Sequence, residues 1–248
     1  MKTCKAFLAA LLILGLAAPA SAGWLINEKS EGMINSLYFQ NNQVRDQSAE
    51  SISIMDLAKG RLTLINPNAK TYWSGPFSDM LKMRDQAMLQ MQQQLKQLPP
   101  EQREVAQKAM QEAMGKKDAP RPKVEVKMTG QGAVIAGFKT VKYEIWADGK
   151  LREEQWIAPA IATSKELDTK KMREMMAVFA QAGGENSYET DPAVQALWSK
   201  GYPVKVISHL DGETMVREVV QAQEKNLPAS MFAAPQGYRK VDLMEMFQ

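Results

Sequence analysis

The segment SISIMDLAKGRLTLINPNAKTYW, residues 51–73, decides the fold because its apolar side chains recur at every second position. Ile52 and Ile54 alternate with serines, and Leu62 and Leu64 alternate with polar residues. Successive side chains of a β-strand point to opposite faces of a sheet, so each run predicts a strand with one buried face. An Asn-Pro-Asn cluster then marks a turn before a third run. The segment predicts consecutive antiparallel strands.

The same strand pattern continues on both sides of this segment. We predict strands throughout residues 32–75, again in residues 124–157, and in a last hairpin at residues 203–221. Two Asp-Gly pairs, Asp148-Gly149 and Asp211-Gly212, lie between alternating runs. Such a pair favours a two-residue hairpin turn because glycine readily adopts a positive φ. The chain therefore contains several hairpins.

Three helical blocks interrupt the strands. Apolar residues recur at three and four positions from residue 77 to about 98, and prolines separate this block from a second one that runs to about residue 114. These two blocks form a helical hairpin insertion at about residues 77–115. A third helix is predicted from Thr163 to about residue 182, with Glu166 completing a capping box.

Hairpin-linked strands with helices between groups of them indicate an α+β fold with an antiparallel sheet. About nine strands would curl around a helical layer rather than lie flat. We predict one α+β domain over residues 23–248. Its curved, half-barrel-like sheet carries the amphipathic helices on its concave face.

The N-terminal segment has the pattern of a removable export signal. Lys2 and Lys5 precede an uncharged Leu/Ala-rich stretch, and Ala20-Ser21-Ala22 supplies small residues for a signal peptidase. This predicts cleavage after Ala22 and an exported protein, periplasmic in a Gram-negative host, with an uncleaved anchor as the alternative. No later stretch reaches membrane-spanning length.

Composition excludes several classes of protein. Hydrophobic residues make up 45% and charged residues 24% of the chain, which argues against a disordered tail. Removing Lys2 and Lys5 lowers the formal net charge of +3 by two, so no nucleic-acid partner is expected. Cys4 is the single cysteine and lies in the signal, which leaves no disulfide or cysteine-ligated metal in the mature chain.

Motifs for catalysis are missing. His209 is the single histidine, and no nucleophile elbow accompanies it, so it is interpreted as a partly exposed strand residue. A glycine triplet ending at Gly137 has neither the spacing nor the following helix of a dinucleotide loop. Glu153 and Glu154 are neighbours on a strand and point to opposite faces. We predict a protein that is not an enzyme and has no cofactor.

Methionine is unusually frequent, with 17 in the chain, and is concentrated on the predicted helices. Flexible thioethers suit an irregular core layer or an adaptable apolar groove. Three M-x-x-M spacings would also allow soft-metal ligation. Three tryptophans lie on predicted strands and either anchor the core or line the same groove. The candidate groove residues are Trp73, Met80, Met83, Met91, Trp146, Trp156, Met172, Met175 and Phe179.

Short motifs spread over most of the mature chain resemble a family of exported bacterial proteins, the domain of unknown function 4412 family. The resemblance rests on Gly60-Arg61-Leu62, Asn66-Pro67, Lys70-Thr71-Tyr72, Pro100-Glu101-Gln102-Arg103, Ile135-Ala136-Gly137-Phe138, Tyr143, Asp148-Gly149-Lys150, Gln155-Trp156-Ile157-Ala158-Pro159, and the closing Pro235, Gly237, Tyr238, Lys240 and Val241. The resemblance implies no activity. It implies an architecture similar to that of periplasmic lipoprotein carriers, whose half-barrel holds acyl chains under helices.

Three functional hypotheses follow. The first is a non-enzymatic periplasmic binding or carrier module that holds a hydrophobic ligand or a lipidated partner between the sheet and the Met-rich helices. The second is an envelope interaction or scaffold protein whose core is filled and holds no ligand. The third is a soft-metal binder that uses methionine sulfurs.

Overall fold

A large antiparallel sheet organises the computed structural model, which describes residues 22–113, 121–183, 188–210 and 212–247. Within these residues the sheet contains 12 strands, and two further short strands pair in a separate ribbon. The sheet is curved and does not close, so it has two free ends, at residues 239–240 and at residues 124–128. The predicted α+β class with a curved antiparallel sheet is confirmed. The predicted export signal lies outside the described residues, apart from Ala22.

The strands are numbered in chain order. They are β1 (Gly23–Ser30), β2 (Met33–Gln40), β3 (Gln43–Gln47), β4 (Ile52–Asp56), β5 (Arg61–Asn66), β6 (Thr71–Pro76), β7 (Val124–Met128), β8 (Val134–Ile135), β9 (Phe138–Lys139), β10 (Val141–Ala147), β11 (Lys150–Ala158), β12 (Tyr202–Leu210), β13 (Glu213–Lys225) and β14 (Arg239–Lys240). The large sheet follows the order β14-β6-β5-β4-β3-β2-β1-β13-β12-β11-β10-β7, and β8 pairs with β9 in the ribbon. Neighbours in the large sheet are antiparallel except β14 and β6, which are parallel. Asp148 and Gly149 both have positive φ, so the predicted hairpin turn is present between β10 and β11.

The helices are α1 (Ser78–Gln97), α2 (Pro100–Ala113), α3 (Thr169–Gly183) and α4 (Pro192–Gln195). The third helix begins later than predicted. Residues Thr163–Lys165 form a 3₁₀ turn, and the Asp168 carboxylate accepts hydrogen bonds from the backbone N–H groups of Lys170 and Lys171. Asp168 therefore takes the capping role that the sequence assigned to Thr163.

β1 was missed by the sequence prediction, although it lies in the middle of the sheet between β2 and β13. Trp24 and Ile26 are buried on one face of β1, and Glu28 follows them on that face. A glutamate at the third buried position interrupts the apolar pattern by which a strand is recognised.

The two faces of the sheet are covered by different parts of the chain. Paired residues in an antiparallel ladder share a face, so the registers place Ile26, Leu62, Trp73 and Tyr143 on one side, here called the inner face. α1 and α3 pack over β3–β6 on this face, and α4 with the following 3₁₀ turn packs over β10 and β11. The opposite side, here called the outer face, is covered at β4 and β5 by residues 227–238.

Candidate functional site

The inner face beneath α1 and α3 holds an apolar cluster that contains four of the nine predicted groove residues. Trp73 is 7% exposed and Met175 is 3% exposed. Met80 and Met172 pack against this cluster and are half-buried. The cluster also contains Leu57, Leu62, Phe77, Leu64, Met176 and Val178. The side chains themselves occupy the space between helices and sheet, so a ligand there would have to displace them.

Three further candidates on the helices do not share this position. Met83 is half-buried but lies outside the cluster. Met91 is 46% exposed and lies in the second half of α1. Phe179 belongs to α3, but its side chain lies outside the described part of the structure. The apolar stripe of α1 is therefore only partly covered. A shallow apolar depression of about 520 Å³ follows the end of this helix and is lined by Leu98 and Val105.

The strand registers place Trp146 and Trp156 on the outer face, and neither belongs to the cluster that contains Trp73. Trp156 also packs against the neighbouring cluster that contains Trp24 and Ile26. Trp146 pairs with Leu151 and Trp156 pairs with Lys142, whereas the intervening Tyr143 is buried on the inner face. The alternation along β10 and β11 separates the two sets of side chains. Each tryptophan lies beneath a lysine: the Lys127 Nζ is 4.6 Å from the Trp146 ring centroid, and the Lys142 Nζ is 5.0 Å from that of Trp156.

Charged side chains connect these tryptophans into a network on the outer face. Glu154 forms an ion pair with Lys142, and the His209 Nε2 lies 3.1 Å from a Glu154 carboxylate oxygen. The hydrogen bond from Lys142 lowers the pKa of Glu154 below its ordinary value, against the effect of burial. The Trp146 indole N–H donates to Glu144 at 3.1 Å. The single histidine therefore belongs to a half-exposed ion network.

The inner face also carries a buried polar cluster that the sequence analysis did not identify. The Tyr202 hydroxyl donates to the Glu28 Oε1 at 2.6 Å, and an Arg217 guanidinium N–H donates to the same oxygen at 2.5 Å. Glu28 is 5% exposed. Burial raises the pKa of Tyr202 well above its ordinary value, and the nearby carboxylate adds to this. The signal for this cluster was the position of Glu28, two residues beyond Ile26 on the same strand face.

Asp46 lies near this cluster on the same face. Desolvation raises the pKa of Asp46, the negative charge of Glu28 raises it further, and Arg217 acts in the opposite direction. When Glu28, Asp46 and Arg217 are all ionised, this part of the inner face carries one net negative charge. This arrangement orients side chains but contains no nucleophile paired with a general base.

A second polar group surrounds Glu153 farther along the inner face. The Tyr188 hydroxyl donates to the Glu153 Oε1 at 3.1 Å, and the Gln155 amide donates to the Glu153 Oε2 at 2.7 Å. Ser208 lies 3.4 Å from the Oε1. Burial raises the pKa of Tyr188, and Glu153 contributes to the same shift. Glu153 and Glu154 therefore serve separate networks on opposite faces, as their adjacency on a strand predicts.

A set of hydrogen bonds fastens the start of α3 to the β2–β3 turn. The Asn42 N–H donates to the Glu166 carbonyl oxygen at 2.7 Å, and the Asn42 Oδ1 accepts from the Asp168 N–H at 2.5 Å. Asn41 N–H donates to the Glu166 carboxylate at 3.1 Å. Asn41 and Asn42 both have left-handed backbone conformations. The turn thereby determines where α3 lies on the inner face.

Within the described residues, no group of three or more His, Cys, Asp and Glu side chains is arranged to hold a metal ion. No helix of the described ranges combines the length and the apolar content needed to cross a bilayer. The Met-lined inner face and its adjoining polar cluster form the candidate site.

Comparison with known proteins places the chain in a family but not in a functional class. A family model described as "Domain of unknown function (DUF4412)" matches residues 75–238. No curated protein matches significantly. The solved structure of PNGF-II is similar at TM-score 0.38 and 10% identity, covering 90% of this chain and 32% of that one. The structure of MucB is similar at TM-score 0.34 and 10% identity, covering 89% and 60%. The chain spans less than two thirds of either structure.

Proposed function

This chain belongs to the DUF4412 family, and from that premise we propose that it is an exported, non-enzymatic binding or carrier module. Its cargo is a hydrophobic ligand or a lipidated partner that occupies the inner face beneath α1 and α3. The single observation that carries this proposal is the Met-rich contact between these helices and the sheet.

The contact suits reversible opening because of how its two sides are built. The sheet side is held together by backbone hydrogen bonds between strands, which do not involve α1 or α3. The helix side contributes Met80, Met172 and Met175, whose unbranched thioethers adapt to surfaces of different shape. The helices can therefore move without breaking the sheet.

α1 is the element that we expect to move first. None of its 20 residues is buried, so it contacts the cluster only through half-buried side chains. α3 is held more firmly, because Met175 is buried and the Asn42 contacts fasten its first turn. Displacing α1 exposes the apolar surface around Trp73 at a smaller loss of buried area than displacing α3.

A specific observation favours a second function, an envelope interaction protein with a filled core. Trp73 and Met175 are almost completely buried among their own neighbours. Such packing is also what a permanent core would show. The two functions differ in whether the inner face takes up an apolar molecule.

The deciding experiment is native mass spectrometry of the protein purified gently from its own periplasm. A bound mass of lipid size, together with uptake of a dansyl-labelled fatty acid, supports the carrier. A clean apo mass with no uptake contradicts the carrier and favours the filled core. An added mass matching copper would favour the methionine-based metal binder instead.

Two matched variants locate the ligand. Met80→Asp places a carboxylate in the inner-face cluster, and desolvating it on binding should weaken fatty-acid binding by about tenfold or more. Met91→Asp makes the same change at an exposed position of the same helix and should leave binding unchanged. Circular dichroism checks that each variant is folded. Equal fatty-acid binding by both variants would show that the ligand does not bind at this face.

A further inference from the structure

β7 forms one edge of the large sheet and leaves a row of backbone groups facing outward. In the described residues β7 pairs with β10 alone. The Lys123 carbonyl oxygen accepts from the Asp148 N–H at 3.0 Å, and the Thr129 N–H donates to the Lys142 carbonyl oxygen at 3.1 Å. Along an antiparallel strand, the backbone N–H and C=O groups of successive residues point alternately toward one neighbouring strand and toward the other. The N–H and C=O groups of the even-numbered β7 residues therefore point away from the sheet.

The other edge of the sheet is built differently. β14 has only two residues, Arg239 and Lys240, and the 3₁₀ turn Leu243–Phe247 packs against the adjacent β6. Arg239 is also paired with Glu245 of that turn at 2.6 Å. A short, covered edge offers little to another strand. β7 has five residues, and Met128 at its end is 67% exposed.

The side chains of β7 are complementary to a second copy of the same strand. Glu125 and Lys127 lie on the outer face, with side chains 47% and 53% exposed. In an antiparallel pair of β7 strands centred on Val126, each Glu125 is directly opposite the partner's Lys127. The same register places Val124 opposite the partner's Met128 on the inner face. Opposite charges and apolar pairs at directly facing positions stabilise strand pairing.

This register also satisfies the backbone. Centring the pair on Val126 makes the directly facing pairs Val126 with Val126 and Val124 with Met128. These are the residues whose N–H and C=O groups point outward, so all of them become hydrogen-bonded across the junction. Centring the pair on Val124 would bring Pro122, which has no N–H, into the ladder. Geometry and charge therefore select the same register.

We propose that β7 is a self-association edge, through which two copies of this chain pair antiparallel about Val126 into one continuous sheet with two-fold symmetry. The occupant of the edge is a second copy because the Glu125–Lys127 pattern is complementary to itself. This association is independent of the proposed ligand and leaves the inner-face cluster beneath α1 and α3 untouched. A contact of one strand pair is small, so the dimer should be weak and reversible.

Sedimentation analysis of the purified protein from about 1 μM to about 1 mM tests the dimer. The wild type should shift from the monomer mass to the dimer mass within this range. Val126→Pro should abolish the shift, because it removes an outward N–H and obstructs the partner strand. A proline is tolerated at this position of an edge strand, since the Val126 N–H is not used in pairing with β10.

Charge exchange provides the sharper test. Glu125→Lys or Lys127→Glu alone places like charges opposite each other at both symmetry-related positions of the dimer. Each single exchange should raise the dimer dissociation constant by about tenfold or more. The double variant E125K/K127E restores opposite charges and should recover the dimer. A wild-type monomer at every concentration would overturn the proposal and leave the edge to a strand of another protein. A dimer insensitive to Val126→Pro and to both single exchanges would overturn it equally.

Discussion

Glu28 shows why one residue on an apolar strand face can organise its surroundings. It lies on the same face as Ile26 and is 5% exposed, so its carboxylate has little access to water. Tyr202 and Arg217 supply hydrogen bonds to one of its oxygens. A buried charge is tolerated only when it is paired and hydrogen-bonded. These three residues, from β1, β12 and β13, therefore fix the relative positions of the central strands.

Asp46 next to this cluster leads to a prediction about pH. Its pKa is raised, chiefly by desolvation and then by Glu28, so the folded protein disfavours the ionised form. A carboxyl with a raised folded pKa contributes stability at low pH and loses it as the pH rises through that pKa. Asp46→Asn should therefore unfold at higher urea concentration than the wild type at pH 7.

The difference should close below the ordinary Asp pKa of 3.8, where both side chains are neutral. Asp85→Asn is the control, because Asp85 is exposed on α1 beside Arg84 and should show little effect at either pH. A destabilised Asp46→Asn protein at pH 7 would contradict this interpretation.

At the scale of elements, the start of α3 depends on a turn that is distant in sequence. The Asn42 side chain accepts from the Asp168 N–H, and the Asp168 carboxylate in turn accepts from the first turn of the helix. A local reading of the sequence places the helix start at Thr163. The contact with the β2–β3 turn instead favours a start at Thr169.

Two adjacent substitutions test this contact. Asn41→Gly and Asn42→Gly both preserve the left-handed turn, and only the second removes the oxygen that accepts from Asp168. Asn42→Gly should therefore be less stable than Asn41→Gly by about 1 kcal/mol. The amides in the first turn of α3 should exchange about fivefold faster in Asn42→Gly, measured by hydrogen exchange. Equal exchange in the two variants would show that the side-chain contact does not hold the helix.

At the scale of the whole molecule, the chain closes over its own outer face. After β13, Leu227 and Phe232 pack on Ile52, Ile54 and Ile65. Two hydrogen bonds hold this segment in place. The Leu227 N–H donates to the Gln40 side chain at 2.8 Å, and the Arg45 guanidinium donates to the Met231 carbonyl oxygen at 2.7 Å. The segment covers isoleucines that would otherwise form an exposed patch.

Substitutions of two phenylalanines near the C-terminus test how much this segment contributes to stability. Phe232 is 9% exposed, so Phe232→Ala should lower the free energy of unfolding by about 3–5 kcal/mol. Phe247 is 61% exposed, and Phe247→Ala should change it by about 0.5 kcal/mol or less. Urea unfolding followed by tryptophan fluorescence compares them. Similar effects of the two substitutions would mean that the C-terminal segment does not stabilise the sheet.

Much of the candidate site could be anticipated, but not its sidedness. Helical and strand periodicity identify apolar faces, and Met80, Met172 and Met175 share a cluster with Trp73. That this cluster binds a ligand stays a prediction. Trp146 and Trp156 were assigned to the same groove because they lie on predicted neighbouring strands. Side chains alternate along β10, so Trp146 lies on the face opposite to the buried Tyr143 and Ile145. Alternation predicts that these two sets of side chains are on opposite faces, but contacts between distant segments decide which face α1 and α3 cover.

Local sequence patterns were enough to determine the α+β class, the Asp148-Gly149 hairpin and the helical block before Pro100. Each of these features depends on residues within a few positions of one another. Tertiary structure alone decided the strand order. β1 pairs with β13 through contacts such as Gly23 with Lys225, and Glu28 meets Tyr202 and Arg217. The physical reason is that these pairings come from burial and hydrogen bonding between segments far apart in the chain. The periodicity of either segment contains no information about its partner.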